Sequence, residues 1–154
     1  MHLNKLKILL IGPSASGKSL IANFISESTN IEEAGAPKAT QGVRIVEFEL
    51  SNINVNDKIY NNDIELWDCS GDHRFESCWP ALRVGVQGVI LPKLSSKQCV
   101  LFYNCTDEQD DLESLNLSPT FSKVSQVIIN LKTGGSRLKI DFSNFVVSIL
   151  QTIN

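Results

Sequence analysis

Apolar residues come in short runs, separated by polar stretches, along most of this chain. Leu6 to Ile11 is one such run, and its nearly continuous apolar character predicts a buried strand. Gly17 to about Ser28 follows, where Ile21, Phe24 and Ile25 recur at the spacing of one helix face. The N-terminal part therefore predicts a buried strand that leads directly into a helix.

Val43 to Leu50 alternates between apolar and polar residues, which is the pattern of a strand with one exposed side. We expect Val43, Ile45 and Phe48 to face inward, and the glutamates of this run to face solvent. Ser51 to Asn62 is rich in asparagine and has the composition of a turn. A third strand over residues 63–67 would then complete a hairpin.

Pro80 and Pro92 interrupt the pattern in the next part of the chain. The remaining elements predicted from the pattern are a helix over Arg74 to about Val86, a short apolar run over Gly88 to Leu91, strands over Gln98 to Tyr103 and Val127 to Ile129, and a helix over Arg137 to Ile153. The last helix carries Leu138, Phe142, Phe145, Ile149 and Ile153 at helical spacing, so it is expected to cover the sheet.

The composition indicates one globular domain, residues 1–154. With 20% charged residues and a net charge of −3, the chain lacks the basic field that would hold a nucleic-acid backbone. No apolar run approaches the roughly 18 residues of a membrane span, and the N-terminus has no signal-peptide pattern. We therefore expect a cytoplasmic protein with no nucleic-acid partner.

Cysteine and terminal patterns exclude two further possibilities. Cys69, Cys78, Cys99 and Cys105 show no zinc-ligand spacing, which favours reduced and mostly buried thiols over metal ligands or disulfides. Position 2 is His2 rather than glycine, and the C-terminal tail has no cysteine to prenylate. We expect no direct membrane anchor, so that any membrane association would go through a partner.

Residues 12–19 complete the phosphate-binding pattern GxxxxGK[ST] between the first strand and the first helix. Its two glycines let backbone N–H groups turn toward phosphate oxygens, and the helix N-terminus adds partial positive charge. Lys18 would reach the β- and γ-phosphates, and the Ser19 hydroxyl would ligate Mg²⁺. The alternative, a Gly/Ser turn with a solvent lysine, is disfavoured by the flanking strand and helix.

Two later segments fit a nucleotide-sensing switch. Asp68 ends the third strand, where its carboxylate can hold Mg²⁺ through the metal's water shell, and Gly71 can offer its N–H to a γ-phosphate. Thr40 precedes the second strand and would be a further Mg²⁺ ligand when the γ-phosphate orders its loop. Each residue alone is ordinarily a turn residue, so the assignment depends on their order in the chain.

This order is similar to that of the Ras-like small GTPases. The segments 40–49 (TQGVRIVEFE), 65–69 (ELWDC) and above all 74–82 (RFESCWPAL) resemble the Rab-like small GTPase subunit of the intraflagellar transport B complex. The resemblance continues weakly through 115–119 (LNLSP) into the last helix.

The resemblance implies a Ras-like α/β fold with a mostly parallel sheet and helices on both faces. It implies GTP or GDP with Mg²⁺ as ligands, and a non-prenylated component of ciliary protein transport, held on coiled-coil core subunits. It places the protein in the cytoplasm, the cilium or flagellum and its base. The positions that it assigns to the nucleotide are Gly12, Ser14, Ala15, Ser16, Gly17, Lys18, Ser19, Leu20, Thr40, Gly71, Asn104 and Asp107, and those assigned to the metal are Ser19, Thr40 and Asp68.

Three departures from an active GTPase stand out, and the first two concern hydrolysis and base recognition. Asp72 occupies the position where a glutamine usually orients the attacking water, so we assign no catalytic residue and expect slow hydrolysis. Ser14 would crowd the same region, and His73 is expected to face solvent. Asn104 and Asp107 fit the base-recognition element, with Asp107 accepting from guanine, but a plain polar turn fits equally well.

The third departure is a short connection. Only six residues, Pro92 to Lys97, separate Leu91 from the strand at Gln98, where a complete Ras-like domain has on the order of 25 residues. We expect most of one central strand and the following helix to be missing. Unpaired backbone groups and exposed apolar faces would then demand either a rearrangement that spans the gap or low stability.

Three functions stay open at this point. The chain is a nucleotide-dependent binding module with weak or absent hydrolysis, an active traffic GTPase of the Rab or Arf type, or a pseudo-GTPase scaffold. Asp72 and the missing lipid anchor disfavour the second, and the intact Gly17, Lys18 and Ser19 disfavour the third.

Overall fold

Strands and helices alternate along the chain in the computed structural model, which describes residues 2–26, 38–90, 99–104, 125–129 and 135–153. The described elements are β1 (His2–Leu10), α1 (Lys18–Ser26), β2 (Val43–Val55), β3 (Lys58–Cys69), a 3₁₀ helix (His73–Cys78), α2 (Trp79–Leu82), β4 (Gly88–Ile90), β5 (Cys99–Asn104), β6 (Ser125–Ile129) and α3 (Gly135–Ile153).

The described strands form one sheet in the order β2-β3-β1-β4-β5-β6. β2 and β3 pair antiparallel, and all the other neighbouring strands pair parallel. Parallel neighbours of this kind are not joined by a tight hairpin turn. The expected α/β class with a mostly parallel sheet is confirmed.

The hairpin of β2 and β3 is longer than the sequence predicts. Its turn is only Asn56 and Asp57, both in the left-handed region with φ of 52° and 63°, a conformation that asparagine and aspartate tolerate in two-residue hairpin turns. The prediction of a turn over 51–62 is therefore wrong. Ile53, Val55 and Tyr60 are buried within that segment, and they hold it in the sheet despite its asparagines.

One side-chain orientation that we predicted in β2 is wrong. Phe48 packs against the core and its ring lies 6.0 Å from that of Phe142, as expected, whereas Ile45 is 47% exposed. Since side chains alternate between faces along a strand, Ile45 and Phe48 cannot point to the same side. Val43 lies on the face opposite to Phe48, where it packs against the smaller of two core clusters.

The larger core lies between one face of the sheet and the helices α1 and α3. The side chains of α3 that close it are Leu138, Phe142, Phe145, Val146, Ile149 and Leu150. Ile153, expected on the same face, is half exposed at the end of the helix. Ile149 and Phe145 of α3 lie close to Gly88 of β4, because a Cβ added at Gly88 would stand 2.5 Å from Cδ1 of Ile149 and 3.0 Å from Cζ of Phe145.

The opposite face of the sheet carries a smaller cluster built on Leu9, Cys69 and Val89, against which Leu82 of α2 packs. Helices therefore lie on both faces. Beyond this cluster, polar side chains cover the sheet: Lys7 Nζ stands 3.7 Å from the ring centroid of Trp67.

Within the described residues β4 covers Gly88–Ile90, and it occupies the place of a central strand in the sheet. It pairs with β1 at three positions and with β5 at two, so the sheet runs through it without a break. These pairings agree with the first of the two expected outcomes, a rearrangement that spans the gap. Residues 91–98, where the following helix would begin, lie outside the described ranges.

The contact between α3 and β4 gives a stability test. Gly88→Ala would drive a methyl group into Ile149 and Phe145, so we expect the free energy of unfolding to fall by about 1–3 kcal/mol. Denaturant unfolding followed by circular dichroism measures it. Val84→Ala is the control, since Val84 is 71% exposed and its truncation should change little. A neutral Gly88→Ala would contradict the close packing of α3 on β4.

Candidate functional site

The GxxxxGK[ST] loop connects the end of β1 to α1, as the sequence predicts. Ala15 and Gly17 lie in the left-handed region with φ of 60° and 86°. Left-handed residues within a turn gather successive backbone N–H groups around a concavity that suits an anion. The loop thus has the backbone form expected of a phosphate cradle.

Lys18 is the residue around which this loop folds. Its side chain is buried, and its ammonium donates to the carbonyl oxygens of Gly12 (3.0 Å) and Pro13 (2.6 Å) and to Ser16 Oγ (3.3 Å). Burial lowers the pKa of Lys18, while the nearby Asp68 carboxylate opposes that shift. Three hydrogen bonds thus fix the positive charge inside the loop.

The three residues assigned to a metal meet at one carboxylate. Ser19 Oγ donates to Asp68 Oδ2 at 2.6 Å and lies 2.9 Å from Thr40 Oγ1. Thr40 Oγ1 donates to the same Oδ2 at 3.3 Å. Asp68 is fully buried, and its other oxygen, Oδ1, has no hydrogen-bond partner in the described part of the chain.

Sheet register explains why these residues meet. Leu10 pairs with Asp68 across the parallel strands β1 and β3, so the phosphate loop and Asp68 leave the same edge of the sheet. Val43 pairs with Cys69, which brings the segment before β2 to the same place. Ser70 N donates to Gly42 O at 2.8 Å and ties the Thr40 segment to the end of β3.

Arg44 is a member of this cluster that sequence reasoning missed. Its Nη2 lies 3.3 Å from Asp68 Oδ2 and donates to the carbonyl oxygen of Ser19 at 3.3 Å. Arg44 and Asp68 are also cross-strand partners in the β2–β3 register. Pairing the two strands from their ends would have placed these opposite charges face to face.

Gly71 closes the site from the other side. A Cβ on this residue would stand 2.4 Å from Gly12 O and from Ser14 N, so no side chain fits there. The chain that follows β3 therefore lies directly on the phosphate loop. This close approach is what the predicted role of Gly71 requires.

Asp72 and His73 begin the 3₁₀ helix and form ion pairs on its surface. The Asp72 carboxylate accepts from the backbone N and from both Nε and Nη2 of Arg74, at 2.7–2.9 Å, and these bonds hold its pKa below the ordinary value. His73 faces solvent, as expected, and its pairing with Glu76 raises its pKa. The described side-chain hydrogen bonds of both residues are made with Arg74 and Glu76 of the same helix.

The donor set suits a hard cation. Ser19, Thr40 and Asp68 offer only oxygen atoms, the ligands that Mg²⁺ prefers, and the unpaired Oδ1 of Asp68 is a buried acceptor without a donor. Within the described ranges no group of three His, Cys, Asp or Glu side chains forms a metal site. Burial raises the pKa of Cys69 to about 11, so that its thiol stays protonated beside the cluster.

Several predicted residues fall outside this picture. Asn104 ends β5, but its side chain and residues 105–107 lie outside the described residues, as does the segment 130–132. The base-recognition element stays a prediction. Of the cysteines, Cys69 is buried and Cys78 is exposed, while the thiols of the other two are not described. Among the helices that are described, none is long and apolar enough to cross a membrane.

Comparisons with known proteins agree with the resemblance noted in the sequence. A family model described as the Ras of Complex, Roc, domain of DAPkinase matches residues 7–115. The Homo sapiens intraflagellar transport protein 22 homolog is 36% identical over 174 residues, covering 97% of this chain and 92% of that protein. The Danio rerio homolog is 34% identical over 175 residues, with the same coverage of both chains.

The fold is also that of a solved structure. A chain of the T. brucei IFT22/74/81 GTP-bound crystal structure matches with a TM-score of 0.73 and 19% identity, over 97% of both chains. The alignment to the human relative is longer than this chain, so that relative has residues with no counterpart here, in agreement with a shortened connection. The identities and the matched Roc model together show that this chain belongs to the family of the intraflagellar transport protein 22 homologues.

Proposed function

We propose that this chain binds GTP with Mg²⁺ and acts as a nucleotide-dependent binding module of intraflagellar transport, with slow or absent hydrolysis. The observation that carries this proposal is the convergence of Ser19, Thr40 and Asp68 within 3.3 Å of one another beside the phosphate loop. Three segments that are distant in sequence supply these residues. If each of these residues were only part of a turn, the three side chains would have no reason to meet.

Each part of the site has a stated task in this proposal. Lys18 places a fixed positive charge against the β- and γ-phosphates, and the loop backbone donates N–H groups to them. Ser19, Thr40 and Asp68 hold Mg²⁺, directly or through its waters. The bound ion supplies positive charge beside the same phosphates. Gly71, which lies against the loop, offers its N–H to the γ-phosphate.

Guanine nucleotide is the ligand class that the relatives favour. The neighbour of known structure is described as GTP-bound, and the matched domain is of the Ras type. The choice of guanine over other bases depends on Asn104 and Asp107, which stay predictions.

The proposed switch is the segment from Thr40 to Gly42. Thr40 bonds to Ser19 and Asp68, while Gly42 accepts from Ser70 N at the end of β3. A ligand that draws on the Thr40 hydroxyl would therefore also position the start of β2. The γ-phosphate and its Mg²⁺ would hold Thr40 more firmly, so their loss would loosen this segment and change the surface offered to a partner.

The proposed partners are coiled-coil core subunits of the intraflagellar transport B complex. The structural neighbour is recorded in a complex named IFT22/74/81, and the curated relatives are intraflagellar transport proteins. We propose accordingly that this chain works in the cytoplasm and at the cilium or flagellum and its base.

Removal of the loop ammonium tests the binding proposal. Lys18→Ala should weaken GTP affinity about 10- to 100-fold, since hydrogen bonds to charged groups contribute about 1.5–3 kcal/mol. Titration of purified protein with fluorescent GTP, GDP and ATP in Mg²⁺ measures it. Lys5→Ala is the matched control, because Lys5 forms surface ion pairs with Glu47 and Glu65 on the sheet face. Absence of binding to the unaltered chain would instead favour a pseudo-GTPase scaffold.

Asp72 provides the test of slow hydrolysis. Its carboxylate accepts hydrogen bonds only and is held by Arg74, so it cannot both accept from a water and donate toward the γ-phosphate. Asp72→Gln restores a donor, and we expect single-turnover phosphate release to rise about tenfold. Glu76→Gln, which neutralises an exposed carboxylate on the same 3₁₀ helix, should leave the rate unchanged. Equal rates for Asp72→Gln and the unaltered chain would contradict this role.

A further inference from the structure

Asp68 requires a positive charge that the phosphate loop does not supply by direct contact. Its carboxylate is completely buried, and an unpaired buried carboxylate is costly. The Lys18 ammonium acts on it at a distance only, because its described hydrogen bonds go to the loop itself. The hydroxyls of Ser19 and Thr40 donate to Oδ2 but carry no charge.

Arg44 provides the direct ion pair. Its guanidinium lies 3.3 Å from Asp68 Oδ2, and the same Nη2 bonds to the backbone oxygen of Ser19. The side chain is 42% exposed, so it reaches the buried carboxylate from the solvent side. Arg44 therefore touches two of the three residues that, in the function proposed above, hold the metal.

We propose that Arg44 is a positioning residue that neutralises Asp68 when no divalent cation is bound, and that it competes with Mg²⁺ for this carboxylate. The inference rests on the proposed function. Two cations held by the same carboxylate repel each other, so binding of Mg²⁺ weakens the Arg44–Asp68 pair. Because Arg44 is half exposed, its side chain can move toward solvent when that pair is lost.

The competition predicts opposite effects of one substitution. Without Arg44, the nucleotide-free chain loses the partner of a buried charge and becomes less stable. Mg²⁺, in contrast, no longer has to displace a guanidinium and binds more readily. A residue with only a structural role would lower stability without increasing the affinity for the metal.

The test compares Arg44→Ala with Arg44→Gln, which keeps a donor for Ser19 O, and with Arg44→Lys, which keeps the charge. Release of fluorescent GTP is measured against free Mg²⁺, set with a chelator. For Arg44→Ala and Arg44→Gln we expect the Mg²⁺ concentration that half-maximally slows release to fall about fivefold. Arg44→Lys should stay closer to the unaltered chain. Arg137→Ala, which removes an exposed arginine paired with Asp141 on α3, should cause no shift.

A second arm uses the nucleotide-free chain, so it does not depend on the proposed nucleotide. Melting in chelator should occur at a lower temperature for Arg44→Ala than for the unaltered chain, and added Mg²⁺ should raise it more. An Mg²⁺ midpoint that is unchanged or higher in the alanine and glutamine variants would overturn the competition. If the unaltered chain binds no GTP, the proposed function fails, and the Mg²⁺ response of the melting temperature alone decides the role of Arg44.

Discussion

A single buried carboxylate organises the functional edge of this molecule. Asp68 has no exposed surface, so its charge must be balanced and its oxygens must accept hydrogen bonds from the protein or from a ligand. Ser19 at the start of α1, Thr40 before β2 and Arg44 within β2 all direct polar atoms to Oδ2. Three residues from different parts of the chain thus contact Oδ2 of this carboxylate. Its other oxygen, Oδ1, has no partner in the described part of the chain and is left for a ligand.

The sheet provides the rigid frame for this point. β3 lies between β2 and β1 and pairs with both along most of its length. It is parallel to one neighbour and antiparallel to the other, so the end of β3 meets the end of β1 and the start of β2. The steric contact of Gly71 with the phosphate loop adds a second fixed distance. The sheet and the phosphate loop therefore keep their positions when Thr40 makes small movements.

Local signals in the sequence predicted most of this site, because the relevant chemistry lies in short segments. The phosphate loop, Asp68 with Gly71, and Thr40 are each recognisable within a few residues, and the mostly parallel sheet follows from the resemblance. Pairing between strands was harder to predict. The long hairpin, the exposed side of Ile45 and the role of Arg44 all depend on which residues face each other across β2 and β3, and no local window contains that information.

The missing segment affects the two sides of β4 differently. The residues proposed to hold phosphate and metal come from the loop after β1, the start of α1, the segment before β2, and the end of β3 with the residues that follow it. These strands lie on one side of β4 in the sheet. The residues proposed to read the base lie at the end of β5 and after it, on the other side, and the described part of β5 pairs with β4 at two positions. We expect weak pairing of β5 with β4 to affect base recognition first. The Asp68 cluster is held by contacts among β1, β2 and β3, which do not involve β5. We therefore expect the shortened connection to be compatible with phosphate binding, and to affect mainly the proposed discrimination of guanine from other bases.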